Sequence, residues 1–336
     1  MNNLNANYER ILEVLSQISE QQLLPYERRQ PRFSDLELIC LSLTAEYLGI
    51  DSESDLFRKL PKTLFSKIER SVYNRRRRRL VNHIDAIRLK LASRFNEFED
   101  CFIVDSMPLE VCKLSRSGRS RICKENNYAY PDKGYCAAQN TTYYGYKLHA
   151  VCSVKGVFQA IDLSPASVHD IHYLKDIKTQ INDCTLIGDK GYLSTKVQLN
   201  LFQSCNIKLS TPMRSNQLNY KKQPYIFRKS TKRIETLFSQ LCDQFMIRRN
   251  YAKSFQGFKT RILSKITALT IVQYINKFVF DRNINNIKIS IIKNAQRVFY
   301  NKKTSLQNHL YRHLQWRYPN WFVIENYRVY IDKWNW

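Results

Sequence analysis

Cys101-Phe102-Ile103-Val104-Asp105 and Cys184-Thr185-Leu186-Ile187-Gly188-Asp189 are the two stretches on which the fold turns. Each is a short apolar, β-rich run closed by a carboxylate, the pattern of a buried strand whose last side chain reaches one edge of a sheet. Outward from them, residues 146–154 and 157–163 are further β-rich runs on either side of Lys155-Gly156, which predicts a hairpin. Residues 167–181 and 197–203 read as helical, and residues 207–211 as a short strand closed by Pro212. From Thr231 onward, Ile234, Leu237, Phe238, Leu241 and Phe245 fall on one helical stripe, and residues 262–280 continue as a mainly apolar helix. Residues 113–143 are polar and rich in Arg, Asn, Tyr and Gly, and read as a long loop. This alternation predicts a mixed α/β core.

Upstream, residues 6–95 read as helical, with Ile11, Leu12, Leu15 and Ile18 at helical spacing. Ser34-Asp35-Leu36-Glu37 is a capping box that opens the apolar run 36–48, which stops at Gly49. Helices are expected at 55–60, ending at Pro61, and at 64–73. Then come Arg75, Arg76, Arg77, Arg78 and Arg79. Five consecutive residues cover every face of a helix, so either some enter the bundle or the segment rides along a polyanion, and DNA backbone contact is the expectation adopted.

Composition bounds the partners. The chain has 336 residues with 54 Lys and Arg against 29 Asp and Glu, a net charge of +25, which calls for a polyanionic partner such as nucleic acid. The charge is uneven: residues 56–95 are net +11 and 244–293 net +9, while the first 55 are net −6. Residues 96–243 are net only +6 and hold nearly half of the carboxylates, so basic flanks enclose an acid-bearing middle. No apolar stretch reaches the roughly 18–20 residues of a membrane span, and the start is polar, so a soluble cytoplasmic protein is expected. All four tryptophans fall in 294–336, with 11 aromatics in those 43 residues, which marks an appended aromatic-rich basic tail. The nine cysteines form no CxxC pair and read as reduced thiols. His149-x2-Cys152 and His169-x2-His172 lack the second half of a zinc pattern.

Three acids stand out. Asp105 and Asp189 close their strands, and Glu235 sits on the first turns of an amphipathic helix beside the core residue Ile234. Acids so placed cost desolvation free energy unless something positive neutralises them. A pair of Mg²⁺ ions roughly 3.5–4 Å apart does that and brings phosphoryl-transfer chemistry. Asp162 also ends a strand and is the acid most easily mistaken for one of the three, the first replacement should Asp189 fail, whereas Asp170 reads as a helix cap. Lys147 and His149, two apart on one strand, are candidates for the scissile phosphate, and Tyr143, Tyr144 and Tyr146 for base stacking or for packing.

The order Asp105, Asp189, Glu235 resembles the DDE triad of bacterial insertion-sequence transposases with a ribonuclease-H-like core. The strings carrying the resemblance are Ile103-Val-Asp-Ser-Met-Pro108, Tyr144-Gly-Tyr-Lys-Leu-His149, Ser167-Val-His-Asp170, Ile187-Gly-Asp-Lys-Gly-Tyr192, Thr211-Pro-Met-Arg214 and Arg233-Ile-Glu-Thr-Leu-Phe238. It covers about residues 5–292, and the segments 233–245 and 252–265 look most like the insertion sequence 982 family. The Tyr-x2-Arg-x3-Glu-x6-Lys signature of related transposases is kept only at its glutamate, because Arg228, Thr231 and Cys242 occupy the other positions.

The resemblance implies a helical DNA-binding region at 1–97, a ribonuclease-H-like catalytic domain at 98–293 and the basic tail at 294–336. It implies two Mg²⁺ ions, with Mn²⁺ substituting, held by Asp105, Asp189 and Glu235. Lys190, Arg214, Lys232 and Arg233 join Lys147, His149 and the five arginines as DNA contacts. The implied partners are double-stranded DNA, as element terminal inverted repeats and target, and a second copy of the chain, near the bacterial nucleoid. A nuclease on the same core and an inactive DNA-binding remnant are the rival readings.

Overall fold

The computed structural model describes residues 4–292 apart from 28, 96–98, 215 and 217–219. The chain divides into two units, Met1–Ile291 and Ile292–Trp336. The aromatic tail at 294–336 therefore lies outside the described residues.

Six helices come first: α1 (Leu4–Ser16), α2 (Asp35–Tyr47), α3 (Glu53–Lys59), α4 (Lys62–Phe65), α5 (Arg70–Arg79) and α6 (Val81–Ser93). The capping box is formed: the Ser34 hydroxyl accepts the Glu37 N–H at 3.1 Å and the Glu37 carboxylate accepts the Ser34 N–H at 2.6 Å. The helix predicted at 64–73 is instead broken into α4 and α5, with Glu69 in extended conformation at the start of α5.

The sheet holds β1 (Cys101–Cys112), β2 (Asp132–Cys136), β3 (Thr141–Ser153), β4 (Phe158–Pro165), β5 (Cys184–Ile187) and β6 (Ile207–Ser210). Its order is β2-β3-β1-β5-β6, with β4 pairing β3 beside β2. β1, β3 and β4 run antiparallel, while β5 and β6 join parallel to β1. This is the ribonuclease-H-like mixed sheet. The stretch read as one helix at 167–181 is irregular, a 3₁₀ turn at Asp170–His172, a single turn α7 (Tyr173–Asp176) and another 3₁₀ turn. α8 (Thr195–Cys205), α9 (Tyr225–Asp243) and α10 (Phe255–Tyr274) follow, with a π turn Ile275–Val279 extending α10.

Side chains alternate across a strand, so register assigns the two faces. Phe102, Val104, Val151 and Ala160 share one face with Tyr173, Leu174 and Leu201. Ile103, Met107, Leu148 and Ala150 share the other with Ile234, Leu237, Phe238 and Leu241 of α9, with α10 and with the N-terminal helices. α10 is buried along almost its whole length, and it packs on α2 and α6. From α6, Arg88 donates to the carbonyls of Phe158 and Gln159, each at 3.1 Å, and so ties the bundle to β4. The β3–β4 turn needs Gly156, whose φ is +94° and where an added Cβ would fall 2.5 Å from Arg233 Nε.

Candidate active site

Asp105 is not at the end of its strand as expected, because β1 runs on to Cys112. It lies instead where pairing with β5 stops. The parallel ladder ends at Ile103 opposite Ile187, and two residues further along each chain stand Asp105 and Asp189. β1 then continues on β3 alone, so the sheet forks at the acids. Gly188 sits in the fork, where a Cβ would approach both Val104 and the Tyr192 ring to 3.2 Å. Asp189 opens a 3₁₀ turn and accepts the Gly191 N–H at 2.8 Å.

Asp105 is in register with Ala150 and so shares the face that α9 covers. Glu235 follows Ile234 on that helix, exposed at the margin of its buried stripe. Burial, with the charges of Asp189, Asp170 and Glu235, pushes the Asp105 carboxyl up to about 7, against the favourable Ser106 N–H. Asp189 is raised too, by burial and by Asp170. Among the described residues none of Asp105, Asp189 and Glu235 makes an ion pair. Asp105 and Asp189, raised side by side and without an ion pair among the described residues, are the pattern expected of a candidate site.

Asp170 is a residue that sequence reasoning misplaced. It does not cap the turn, since His169 Nδ1 accepts the Ile171 N–H there. Asp170 Oδ1 instead takes the Ser106 hydroxyl at 3.0 Å and stands 3.1 Å from Lys147 Nζ. Tyr192, buried at 1% exposure, was missed as well: its hydroxyl has no hydrogen-bond partner among the described residues, and the charges of Asp170, Asp105 and Asp189 raise its pKa further beyond burial. Asp162, the replacement considered for Asp189, faces His149 across β3 and β4 and lies on the sheet face opposite Asp105.

Several expected DNA contacts are otherwise engaged. Lys147 and His149 are in register with Pro108 and Ser106, on the face opposite Asp105. Lys147 donates to the Val168 carbonyl at 2.9 Å besides its pairing with Asp170. His149, 1% exposed, stacks on Tyr173 with ring centroids 4.9 Å apart and hydrogen-bonds the Ser164 hydroxyl at 2.7 Å. Burial drops its pKa to about 4, so it is neutral near pH 7 and offers phosphate no charge. Tyr143, Tyr144 and Tyr146 are all buried, which settles them as packing.

In the arginine run, Arg76 points into the bundle, donating to Asp35 at 2.6 Å and to the Phe33 carbonyl at 2.8 Å. Arg77 is likewise buried, 2.9 Å from Glu53 and over the Tyr73 ring. Arg75 and Arg79 are exposed and Arg78 is half-buried. Arg233 donates its guanidinium to the Lys155 carbonyl, at 3.1 and 2.8 Å, and pins the turn. Lys190, Arg214 and Lys232 are exposed, and Lys232 precedes Glu235 by one helical turn, on the same side of α9.

The acids suit a hard divalent cation in chemistry: they are oxygen donors that make no ion pair among the described residues. As they stand, no three described His, Cys, Asp or Glu side chains close a site round one ion. Mg²⁺ does not need such a cage, since it commonly takes one or two carboxylates together with water and substrate phosphate oxygens.

A ribonuclease-H-like sheet with an acid two residues past the end of its β1–β5 ladder on each chain defines the class. The Transposase DDE domain model matches residues 96–271, more than half of the chain, and the protein belongs to that family. It is a transposase by family. No curated protein matches the chain. Among solved structures it is similar to the Mos1 transposase paired-end complex with left transposon end, at 10% identity, 79% of this chain, 86% of that chain and a TM-score of 0.20. The Mos1 mariner paired end complex with Mn is similar at 11% identity over the same shares of the two chains, also at a TM-score of 0.20. The family match, not these likenesses, carries the assignment. Among the described residues no helix is long and apolar enough to cross a membrane.

Proposed function

We propose that the protein hydrolyses the ends of its own insertion element and joins the freed 3′-hydroxyls to target DNA, as a transposase of the insertion sequence 982 type. The observation that carries this reading is the fork, where Asp105 and Asp189 each stand two residues past the last paired position of β1 and β5, without an ion pair among the described residues, and where Glu235 is near enough to raise the Asp105 carboxyl. Asp105, Asp189 and Glu235 are the residues that would hold divalent metal, Mg²⁺ or Mn²⁺. When bound, such ions activate the attacking oxygen and stabilise the leaving one.

The chain's own side chains do the rest. The apolar layers beneath the fork hold the acids in place, and exposed Lys190, Arg214 and Lys232 draw a phosphodiester towards them. Residues 1–97 would serve as a DNA-binding region and 98–293 as the catalytic domain. Two element ends must be held together, which calls for a dimer or larger assembly on double-stranded DNA in the cytoplasm.

Purified protein incubated with labelled element ends, a target plasmid and Mg²⁺ tests the reading. Joined product supports it. Cut ends alone mark a nuclease on the same core, and a mobility shift without cutting marks an inactive DNA-binding remnant.

A further inference from the structure

A second basic feature of the molecule shares no residue with the acids. A cleft of about 830 Å³ opens where α3, α5, the residues around 121–125 and the start of α10 meet. Seven cationic side chains line it, Arg70, Arg77, Arg78, Arg121, Lys124, Lys253 and Arg261, against the three acids Asp51, Glu53 and Glu125.

Two of those acids are already used. Glu53 accepts from Asn74 and Arg77, and the Glu125 carboxylate accepts the Phe255 N–H at the first turn of α10. Arg121, Lys124 and Lys253 have no ion-pair partner among the described residues. Arg77 sits at the wall of the cleft only 6% exposed, and its Nε lacks an acceptor among the described residues. Folding therefore gathers cations from segments up to 191 residues apart, Arg70 to Arg261, into one concavity and leaves Arg121, Lys124 and Lys253 without an ion-pair partner among the described residues. Like charges so placed repel one another unless an anion enters.

The walls are held by specific contacts. The Cys123 N–H donates to the Lys253 carbonyl at 2.8 Å, fixing the polar 121–125 segment against the start of α10. The Gln256 side chain donates to the Arg78 carbonyl at 3.2 Å, fixing the same end of α10 to α5. The cleft is thus framed by three cross-linked segments rather than by loose surface lysines. Tyr251, 65% exposed, also lines it.

We infer that this cleft binds the phosphodiester backbone of double-stranded DNA, as an anchoring site separate from the acids. A cleft of this volume and charge takes several consecutive phosphates, and such contacts fix position without reading bases. The inference goes beyond the cleavage reading. Its tests read binding in the presence of a chelator, so a protein that never cuts DNA can still pass them, and one that cuts can fail them.

The first test uses the unaltered full chain. Lysine acetylation followed by mass spectrometry is run alone, with a duplex, and with ATP at equal phosphate concentration. The expected result is protection of Lys124 and Lys253 by the duplex and not by ATP. Protection by ATP and not by the duplex, or protection by neither, overturns the proposal.

The second test compares R121Q/K124Q/K253Q with the matched surface triple K175Q/K178Q/K208Q. Each phosphate that the protein no longer neutralises shrinks the slope of log K against log salt by roughly 0.9, so the cleft triple should lose roughly 2–3 in slope. The loss should be equal on element ends and unrelated duplexes, and the matched triple should leave the slope unchanged. Equal slopes for the two triples overturn the proposal. Should the cleft triple not fold, K253E alone, at an exposed position, should lower the slope by about 1.

Discussion

Glu46 and Asp105 are both carboxylates set among apolar side chains, and the protein treats them in opposite ways. Glu46, 1% exposed, lies 2.5 Å from Lys265 Nζ and 3.3 Å from Arg261 Nε. Burial alone would raise its pKa, but Arg261 and Lys265 more than offset that and hold the carboxyl below its ordinary range. Lys265 also donates to the Phe245 carbonyl at 2.6 Å, so the charges are matched inside the fold. Asp105 has no such cation, and its neighbours Asp189, Asp170 and Glu235 are acids that push it up to about 7. Where the bundle needs a buried acid for structure it supplies the counter-charge. At the fork of the sheet it withholds one, which leaves that position to a ligand from outside.

The contrast can be broken on either side, and the largest effect is expected at the fork. Asp105→Asn, Asp189→Asn and Glu235→Gln should each cut cleavage by about 10³-fold or more, equivalent to about 4 kcal/mol of barrier. DNA affinity should hold or rise, because a charge that repels phosphate is gone. Near-normal cleavage by Asp189→Asn in a gel assay would remove it from the site. On the bundle side, Lys265→Met takes from buried Glu46 the nearer of its two cations and should cost about 3 kcal/mol of stability. A urea midpoint equal to that of the unaltered protein would show that the pair does not matter to the fold.

A pH series sharpens the comparison. The folded pKa of Asp105 lies above its unfolded value, so the folded state holds the extra proton between about 4 and 7. The stability this contributes is full below the unfolded value and is lost as pH rises through about 7. Metal-free protein should therefore weaken across that window, by at most about 1.4 kcal/mol per pH unit, and Asp105→Asn should flatten the fall. Glu46 has the opposite sign and supplies stability that is lost only on acidification. Identical pH profiles for the unaltered protein and Asp105→Asn would contradict the assignment.

The smallest effect divides the arginine run. Arg75→Gln with Arg79→Gln should reduce the salt slope of DNA binding by roughly 2 and leave the melting temperature unchanged. Arg76→Gln, which unpairs Asp35, should instead lower the melting temperature. A run in which all five positions behaved alike would mean that the bundle does not distinguish them.

How much of this was legible in the sequence follows from the range of the forces involved. The capping box at Ser34 and Glu37, the hairpin at Gly156 and the apolar stripe of α9 are local, and they appear where the pattern places them. That Asp105 and Asp189 come close together was legible because a carboxylate closing an apolar run is itself a local anomaly, although β1 runs on past Asp105. Asp170 was not, because its partners Ser106 and Lys147 lie 64 and 23 residues away in sequence. The same holds for Arg76 and Arg77: nothing local distinguishes them from Arg75, and only Asp35 and Glu53, about 40 and 24 residues upstream, decide which guanidinium turns inward. β1 was read too short since Ser106 to Cys112 is less apolar and contains Pro108, yet the long β3 supplies it a ladder partner. β2 escaped notice for a related reason: Asp132–Cys136 is polar and largely open to solvent, and only the first residues of β3 make it a strand.

The fork also governs which length changes the lineage could accept. Asp105 reaches α9 because it is an even number of residues from Ile103 on a ladder pinned on both sides. One residue inserted or deleted between them turns the acid to the Ser106 face, away from Glu235, with every apolar neighbour still compatible with a strand. Glu235 has no such dependence, since it arrives on a helix seated by Ile234, Leu237 and Leu241 after a connection outside the sheet. Added chain between β6 and α9 changes a loop and leaves that seating intact. Two of the acids are therefore fixed by parity and the third by docking, so descent can lengthen the protein before Glu235 but scarcely within β1.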